Sequence, residues 1–494
     1  MRETGVILPI FSLSSNYGIG TIGKKAYEFI DFLEKADVSY WQMLPLNPTG
    51  YGDSPYQSFS TFASNPYFID LELLMEDGLL SDADLRSYVY NHDPLDIDYK
   101  CLYDHRFEVL KKAFERDQLI SETAINDFKV ANSDWLNDYS LFMAIKNYFQ
   151  GDSWDNWPND IKFREEGALT YYRDMLNDEI EFQVYIQYLF DKQFKNLKNY
   201  ANNKGIKFLG DMPIYVAYDS SDVWSNPKLF KLNEDLSLQE VAGCPPDAFS
   251  LEGQLWGNPI YQWDYHEQEN YGWWIKRIKH AFKYCDKLRI DHFRGFESYW
   301  SIKYPSENAI NGCWIKGPGK KLFDAIKNQL GEIDVIAEDL GFITEDVKEL
   351  LDYVKYPGMK VLEFGFDETL DNDHIVHNYI PNCVAYTGTH DNDTVRGWYE
   401  NLSEEERMLV NQYGAMKDEN DDVSFIKMVL ASEANIAVIQ MQDLLSLGSD
   451  SRMNIPSTLG TNWRFRLGEN ALDSQYALKL KSLSNSCGRK IQSK

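Results

Sequence analysis

The chain has 494 residues, of which 44 % are hydrophobic and 26 % are charged, and its formal net charge is −28. This composition is typical of a globular protein, and the length predicts one large domain with insertions or two domains. The excess of acidic residues disfavours nucleic acid and anionic membranes as partners, because both bind proteins through Lys and Arg.

The six cysteines are scattered, and none of them form CxxC pairs. This spacing matches neither a zinc site nor a disulfide framework, and it is typical of a reducing cytoplasm. The first apolar stretch is too short for a secretory signal, and no run is long enough to span a membrane. We therefore predict a cytoplasmic protein, although a processed organellar protein would look the same. No stretch has the DxDxDG spacing of a calcium loop, and we predict neither a metal nor a cofactor.

Eight short apolar runs bounded by turn signals predict buried strands. They begin at Val6, Tyr40, Ile206, Leu288, Val335, Lys360, Cys383 and Ile436. Most are continuously apolar, as in strands that are covered on both faces, and patterns with helical spacing separate several of them. The repeated units predict the α/β class and a (β/α)8 TIM barrel. An open doubly wound sheet stays an alternative, because a count of units does not close a barrel.

Two intervals between the predicted strands are too long for simple crossovers. Residues 65–200 carry charged helical patterns and predict a mainly helical inserted subdomain. Residues 215–275 predict a loop-rich insertion at the barrel mouth, and the irregular, aromatic-rich stretch 243–260 within it indicates a functional loop. We expect a single catalytic barrel over residues 1–494 that carries both insertions.

Several predicted strands end in ionisable residues, at the end of the barrel where active sites of this fold lie. These residues are Asp211, Asp291, His292, Glu338, Asp339, His390, Asp391 and Asp393. Each alone would be interpreted as a solvated strand end or a helix cap. Their coincidence at one end of the barrel indicates a catalytic cluster.

The fourth and fifth predicted strands carry two acids with opposed surroundings. Arg289 and Asp291 point to the same side of a strand, and a neighbouring guanidinium favours an ionised carboxylate, as a nucleophile requires. Glu338 has no basic neighbour in sequence, and apolar packing would raise its pKa, which suits a proton donor. Such a pair is typical of retaining glycosidase chemistry. The alternative is a structural ion pair and an unrelated acid.

Longer motifs resemble those of the amylomaltase (disproportionating enzyme) family of 4-α-glucanotransferases, which is glycoside hydrolase family 77 in the α-amylase clan. The resemblance spans nearly the whole chain except about 75–195. The motifs that carry it are "YWQMLPLNPTGYGDSPYQSFSTFASNPYFIDL", "GDMPIYVAYDSSDVW", "PPDAFSLEGQLWGNP", "LRIDHFRG", "IAEDLG", "YTGTHDNDTVRGW" and "NIPSTLGTNWRFR". The resemblance implies transfer of an α-1,4-glucan segment to the 4-hydroxyl of glucose or of a maltooligosaccharide, without metal or cofactor.

Carried over residue by residue, the resemblance makes Asp291 the nucleophile, Glu338 the general acid/base and Asp391 the carboxylate that distorts the sugar ring. It implies substrate-binding roles for Tyr56, Asp211, Phe249, Gln254, Trp256, Arg289, His292 and His390. Asn462 and Trp463 match a late motif that we expect to shape the barrel end rather than to touch substrate.

Two other functions stay open at this level. An α-glucan hydrolase would use the same carboxylates, because the acceptor is then water instead of a sugar. A catalytically inactive glucan-binding protein is disfavoured, because it should have lost at least one of the three carboxylates.

Overall fold

The computed structural model describes residues 2–50, 52–86, 93–117, 121–246, 250–367, 370–414 and 422–489. Twelve strands lie within these ranges. They are β1 (Glu3–Ile7), β2 (Tyr40–Gln42), β3 (Lys207–Pro213), β4 (Glu240–Cys244), β5 (Gln254–Pro259), β6 (Lys287–Asp291), β7 (Ser298–Lys303), β8 (Cys313–Lys316), β9 (Val335–Ala337), β10 (Gly358–Val361), β11 (Cys383–Tyr386) and β12 (Ile436–Gln440).

Eight of the strands form one parallel sheet in the order β10-β11-β12-β1-β2-β3-β6-β9. Each of the eight apolar runs contributes one strand to this sheet. The Ala337 amide donates a hydrogen bond of 2.9 Å to the Pro357 carbonyl, which links β9 to the residue before β10. The two ends of the sheet therefore meet in a nearly closed barrel. The predicted barrel is confirmed, and the open doubly wound sheet is wrong.

The described helices surround the barrel and fill the long interval between β2 and β3. Those that precede β6 are α1 (Lys24–Lys35), α2 (Leu71–Glu76), α3 (Asp82–Arg86), α4 (Tyr99–Asp117), α5 (Glu122–Ala131), α6 (Leu136–Tyr148), α7 (Asn159–Lys162), α8 (Glu166–Met175), α9 (Asn177–Asn203), α10 (Ser221–Ser225), α11 (Trp263–Gln268) and α12 (Gly272–Tyr284). Those that follow it are α13 (Lys320–Leu330), α14 (Glu345–Val354), α15 (Val395–Asn401), α16 (Glu404–Gly414), α17 (Asp422–Ala431), α18 (Met441–Leu444) and α19 (Ser474–Ser486).

Apolar stripes hold these helices on the barrel. Helix α13 buries Leu322, Phe323 and Ile326, and its remaining side chains are mostly exposed. Residues at this spacing lie on one face of a helix, so the helix buries that face and leaves the other in solvent. The helix ends at Gly331, whose φ of 75° lies in the left-handed region that favours glycine.

A second, antiparallel sheet in the order β5-β4-β7-β8 stands beside the barrel. Its first two strands lie within the segment 215–275, and its other two strands follow β6 along the chain. This sheet brings Trp256 on β5 close to the end of β6. Within the described residues, none of the helices combines the length and the apolar character that crossing a bilayer requires.

Candidate active site

The register of the parallel strands brings the ionisable residues together. Asp211 on β3 pairs with Arg289 on β6, and Ile290 on β6 pairs with Ala337 on β9. The residues that follow this second pair are Asp291 and Glu338, so the two acids leave neighbouring strands at the same level. A parallel barrel therefore places them side by side at the carboxyl end of the sheet.

Arg289 is a buried cation that contacts two carboxylates at once. Its Nη1 donates to both oxygens of Asp211, at 2.7 and 2.9 Å, and its Nη2 lies 2.8 Å from Oδ1 of Asp291. Burial raises the pKa of Asp211, and the guanidinium opposes this shift. The Asp211 side chain is fully buried, whereas that of Asp291 is 29 % exposed. Asp211 thus anchors the Arg289 guanidinium, and the guanidinium in turn holds the Asp291 carboxylate, which is partly exposed.

Glu338 lies in a different environment. Its Oε2 accepts a hydrogen bond of 2.6 Å from the His292 amide, and its Oε1 accepts one of 2.7 Å from the Leu340 amide. Burial and the neighbouring Asp291 raise its pKa to about 8, against the opposing effects of Arg289 and the two amides. Glu338 therefore keeps its proton at neutral pH, in the direction that the sequence predicts.

Asp391 follows β11 and is the most open of the three acids, with a side chain that is 46 % exposed. Its Oδ1 accepts a hydrogen bond of 2.6 Å from the Asn454 carboxamide, and its Oδ2 lies 3.4 Å from Nε2 of His390. The Arg452 guanidinium donates to its main-chain carbonyl at 2.6 Å. These contacts fix the carboxylate while leaving it accessible to a ligand.

Aromatic rings form the wall beside Asp391. The rings of Tyr56 and His390 stack with centroids 5.0 Å apart, and the Tyr56 hydroxyl donates to Oδ2 of Asp211 at 2.7 Å. Trp463 is buried against both rings, with centroids at 5.8 Å from each. The expectation that it shapes the barrel end rather than touches substrate stays a prediction. The Asn462 carboxamide donates within its own loop, to the Thr458 carbonyl.

His292 and Trp256 lie next to the paired acids. The indole and the imidazole pack edge to face with ring centroids 4.8 Å apart. The indole Nε1 of Trp256 donates a hydrogen bond of 3.1 Å to Oε1 of Gln254. Burial lowers the pKa of His292 to about 4, so the imidazole is neutral at physiological pH. The left-handed φ of His292, 51°, turns the chain from β6 into the 3-10 helix Phe293–Phe296.

The structure connects most of the predicted site residues through these contacts. The connected residues are Tyr56, Asp211, Gln254, Trp256, Arg289, Asp291, His292, Glu338, His390 and Asp391. Phe249 lies outside the described residues. Two other strand-end acids support the chain: Asp339 accepts from the Met359 amide, and Asp393 accepts from the Ser449 hydroxyl.

Sequence reasoning missed Asn454 and Arg452, which reach Asp391 from a loop more than sixty residues further along the chain. The available signal was that Asn454 opens the motif "NIPSTLGTNWRFR". In the part of the chain that the structure describes, no three His, Cys, Asp or Glu side chains come together as a metal site. The pocket acids are held by guanidinium, amide and carboxamide donors instead.

A nearly closed β/α barrel with these acids at its strand ends has the architecture of a TIM-barrel enzyme. A family model described as 4-alpha-glucanotransferase matches residues 8–471. The curated 4-alpha-glucanotransferase of Clostridium butyricum is 49 % identical over 97 % of this chain and 99 % of its own length. The curated 4-alpha-glucanotransferase of Thermus thermophilus is 43 % identical over 99 % of this chain and 99 % of its own length.

Among solved structures, the amylomaltase from Streptococcus agalactiae in complex with acarbose matches with a TM-score of 0.97 and 43 % identity, over 99 % of this chain and 100 % of that chain. The chain belongs to the 4-alpha-glucanotransferase family and is a transferase of that class. The resemblance found in the sequence is confirmed.

Proposed function

We propose that this enzyme moves a segment of an α-1,4-glucan to the 4-hydroxyl of glucose or of a maltooligosaccharide by a retaining double displacement. One observation carries the proposed mechanism. Asp291 pairs with the Arg289 guanidinium at 2.8 Å, while burial and Asp291 raise the pKa of Glu338 to about 8. The acid paired with a guanidinium is placed as a nucleophile requires, and the acid with the raised pKa is placed as a proton donor requires.

In the first step, the Asp291 carboxylate attacks the anomeric carbon, and the bond from that carbon to the bridging oxygen breaks. Glu338 gives its proton to the departing oxygen, which leaves as the 4-hydroxyl of the released glucan. The product is a covalent glucosyl ester on Asp291 with inverted configuration. Arg289 stabilises the carboxylate before attack and after its return.

In the second step, Glu338 is ionised and acts as a base. It removes the proton from the acceptor hydroxyl, whose oxygen attacks the anomeric carbon and displaces Asp291. The second inversion restores the α configuration. We assign Asp391 to the hydroxyls of the sugar in this subsite, because its carboxylate is accessible and is held in place by Asn454.

Neutral glucans and maltooligosaccharides suit this pocket as donors, with glucose as an acceptor. The walls combine aromatic faces with hydrogen-bonding groups, through Tyr56, Trp256 and His390. Rings of this kind pack against the apolar face of a sugar while polar groups bind its hydroxyls. The solved relative from Streptococcus agalactiae is described in complex with acarbose, which supports an oligosaccharide in the corresponding cleft.

Transfer requires that a sugar hydroxyl, rather than water, reaches the ester. The segment 243–260 includes β5, which holds Trp256 against His292 beside the two acids. We propose that this segment limits the access of water while the acceptor binds. The cytoplasmic location predicted from the sequence stays a prediction, which fractionation of the producing cells checks.

The assignment of the two carboxylates is tested with maltotriose as the only substrate. Wild-type enzyme should give glucose and a ladder of longer maltooligosaccharides, whereas a hydrolase gives only glucose and maltose. Asp291→Asn and Glu338→Gln should each lower turnover by about 10²- to 10⁴-fold, because each removes a group that acts in the transition state. Glu332→Gln is the matched control, because that side chain is 82 % exposed and lies only six residues before Glu338.

An α-maltosyl fluoride donor separates the two roles, because fluoride leaves without being protonated. Glu338→Gln should recover formation of the glycosyl ester from this donor, and Asp291→Asn should not. Recovery in Asp291→Asn alone would reverse the assignment. Unchanged turnover of maltotriose in either variant would remove that residue from the mechanism.

A further inference from the structure

Glu363 is a carboxyl group behind the pocket that the proposed mechanism does not use. It lies in the 3-10 helix Leu362–Gly365 that follows β10. Part of its side chain reaches solvent, but Oε1 is shielded and accepts no hydrogen bond from any residue that the structure describes. An ionised carboxylate with a shielded oxygen that accepts no hydrogen bond costs free energy, and the cost is smaller when the group is neutral.

The other oxygen of Glu363 connects to the loop that carries Asp391. Oε2 accepts a hydrogen bond of 3.0 Å from Nδ2 of Asn392. Oδ1 of Asn392 accepts two further bonds from Thr389, from its amide at 2.9 Å and from its hydroxyl at 2.8 Å. The carboxamide thus closes a turn around His390 and Asp391, and Glu363 fixes its orientation.

The surrounding charges indicate which acid holds a proton. Asp443, Asp393 and Arg452 face Glu363, and burial and Asp443 raise the pKa of Glu363 well above its usual value. Burial also raises the pKa of Asp443, to about 7. Both oxygens of Asp443 accept hydrogen bonds, from the Thr387 hydroxyl at 2.5 Å and the Val395 amide at 2.9 Å. Glu363 has one oxygen without a donor, so hydrogen bonds stabilise the ionised form less at Glu363 than at Asp443.

We propose that Glu363, as a neutral acid, is a positioning residue that holds Asp391 in its working orientation through the Asn392 carboxamide. The inference rests on the role proposed above for Asp391. Asn454 donates to the Asp391 carboxylate and Arg452 to its main-chain carbonyl, so a second, separate loop also holds this residue. A neutral acid supplies the hydrogen-bond acceptor without adding another negative charge beside Asp443 and Asp393.

Kinetics on maltotriose tests the proposal. Glu363→Ala should lower kcat by up to about 10²-fold, because small misplacements of a reacting group have effects of this size, while KM changes by less than about threefold. Glu363→Gln has the same shape and no charge, and it should keep kcat within about threefold of the wild type. Equal losses of kcat in both variants would overturn the claim that Glu363 acts as a neutral acid. An unchanged kcat in Glu363→Ala would overturn its positioning role.

A second variant covers the case in which Glu363→Ala fails to fold. Glu363→Met fills a similar volume and has no oxygen to accept the hydrogen bond from Asn392, so kcat should fall although no cavity is left. A wild-type kcat in this variant would overturn the proposal.

A double-mutant cycle separates positioning from general damage. In an Asp391→Asn background, assayed with α-maltosyl fluoride, the Glu363→Ala change should cost less than about twofold, because its effect passes through Asp391. An equal cost in both backgrounds would overturn the inference and leave the proposed function intact. Full turnover of maltotriose in Asp391→Asn would instead overturn the role proposed for that residue.

Discussion

At the scale of single residues, the raised pKa of Glu338 predicts the alkaline limb of the pH profile. The residue must be protonated to donate, and its pKa is raised from the usual value to about 8 by burial and by Asp291. kcat/KM should therefore be level through neutral pH and fall about tenfold per pH unit above about 8. Steady-state rates between pH 5 and pH 10 measure this limb. A fall that is complete by pH 6 would contradict the prediction.

Asp211 supports a second prediction, on stability. It is the fully buried partner of Arg289 and also accepts a hydrogen bond from the Tyr56 hydroxyl. Asp211→Asn should lower the free energy of unfolding by about 3–5 kcal/mol, because it leaves a buried guanidinium with one carboxylate fewer. Urea denaturation measures the loss. Asp346→Asn is the control: its ion pair with Lys316 is exposed to solvent, so its loss should leave the urea midpoint nearly unchanged. Equal effects would contradict the prediction.

The contacts of Arg289 show which parts of the site can be predicted from the sequence. Arg289 and Asp291 are two residues apart on a strand, so their shared side follows from the period of the strand. Glu338 follows from the barrel, because successive parallel strands end at one rim. Asn454 and Glu363 follow from neither rule, because a late loop brings Asn454 to Asp391 and the 3-10 helix after β10 brings Glu363 to Asn392. Only the folded chain relates such segments to the strands.

At the scale of elements, the eight barrel strands were predictable because each lies in a short apolar run bounded by turn signals. The antiparallel sheet was not predicted. Strand β8 is short and largely exposed, and β5 contains both Gly257 and Pro259, which weaken a strand pattern. The partners of β4 include β7, which lies more than fifty residues further along the chain. These strands form because they pair with one another beside the barrel.

Strand β5 leads to a prediction about water. Trp256→Ala should raise the ratio of hydrolysis to transfer, because the indole that contacts His292 is then replaced by solvent. The ratio of free glucose and maltose to longer products from maltotriose measures the effect. Leu255→Ala is the matched control, because that side chain alternates to the opposite face of the strand and is 39 % exposed. An unchanged ratio in Trp256→Ala would show that Trp256 on β5 does not limit the access of water.

At the scale of the whole molecule, the helical interval between β2 and β3 joins the core of the barrel. Leu110 on α4 and Trp154 belong to the same buried apolar cluster as Trp41 on β2 and Ile290 on β6. We proposed residues 65–200 as an inserted subdomain of one catalytic unit, and the shared cluster supports the single unit. Side chains that pack into one cluster lose their contacts together when either part unfolds.

A core substitution in this interval should consequently destabilise the barrel as well. Leu110 is fully buried, and Leu110→Ala should lower the free energy of unfolding by about 2–5 kcal/mol. Far-UV circular dichroism, tryptophan fluorescence and loss of transferase activity should move together to lower temperature, as one cooperative transition requires. Val130→Ala on α5 is the control, because that side chain is 78 % exposed and its loss should leave the transition in place. If activity persisted above a first melting step, the helical interval would be an independent domain, because the barrel would keep its catalytic strands without it.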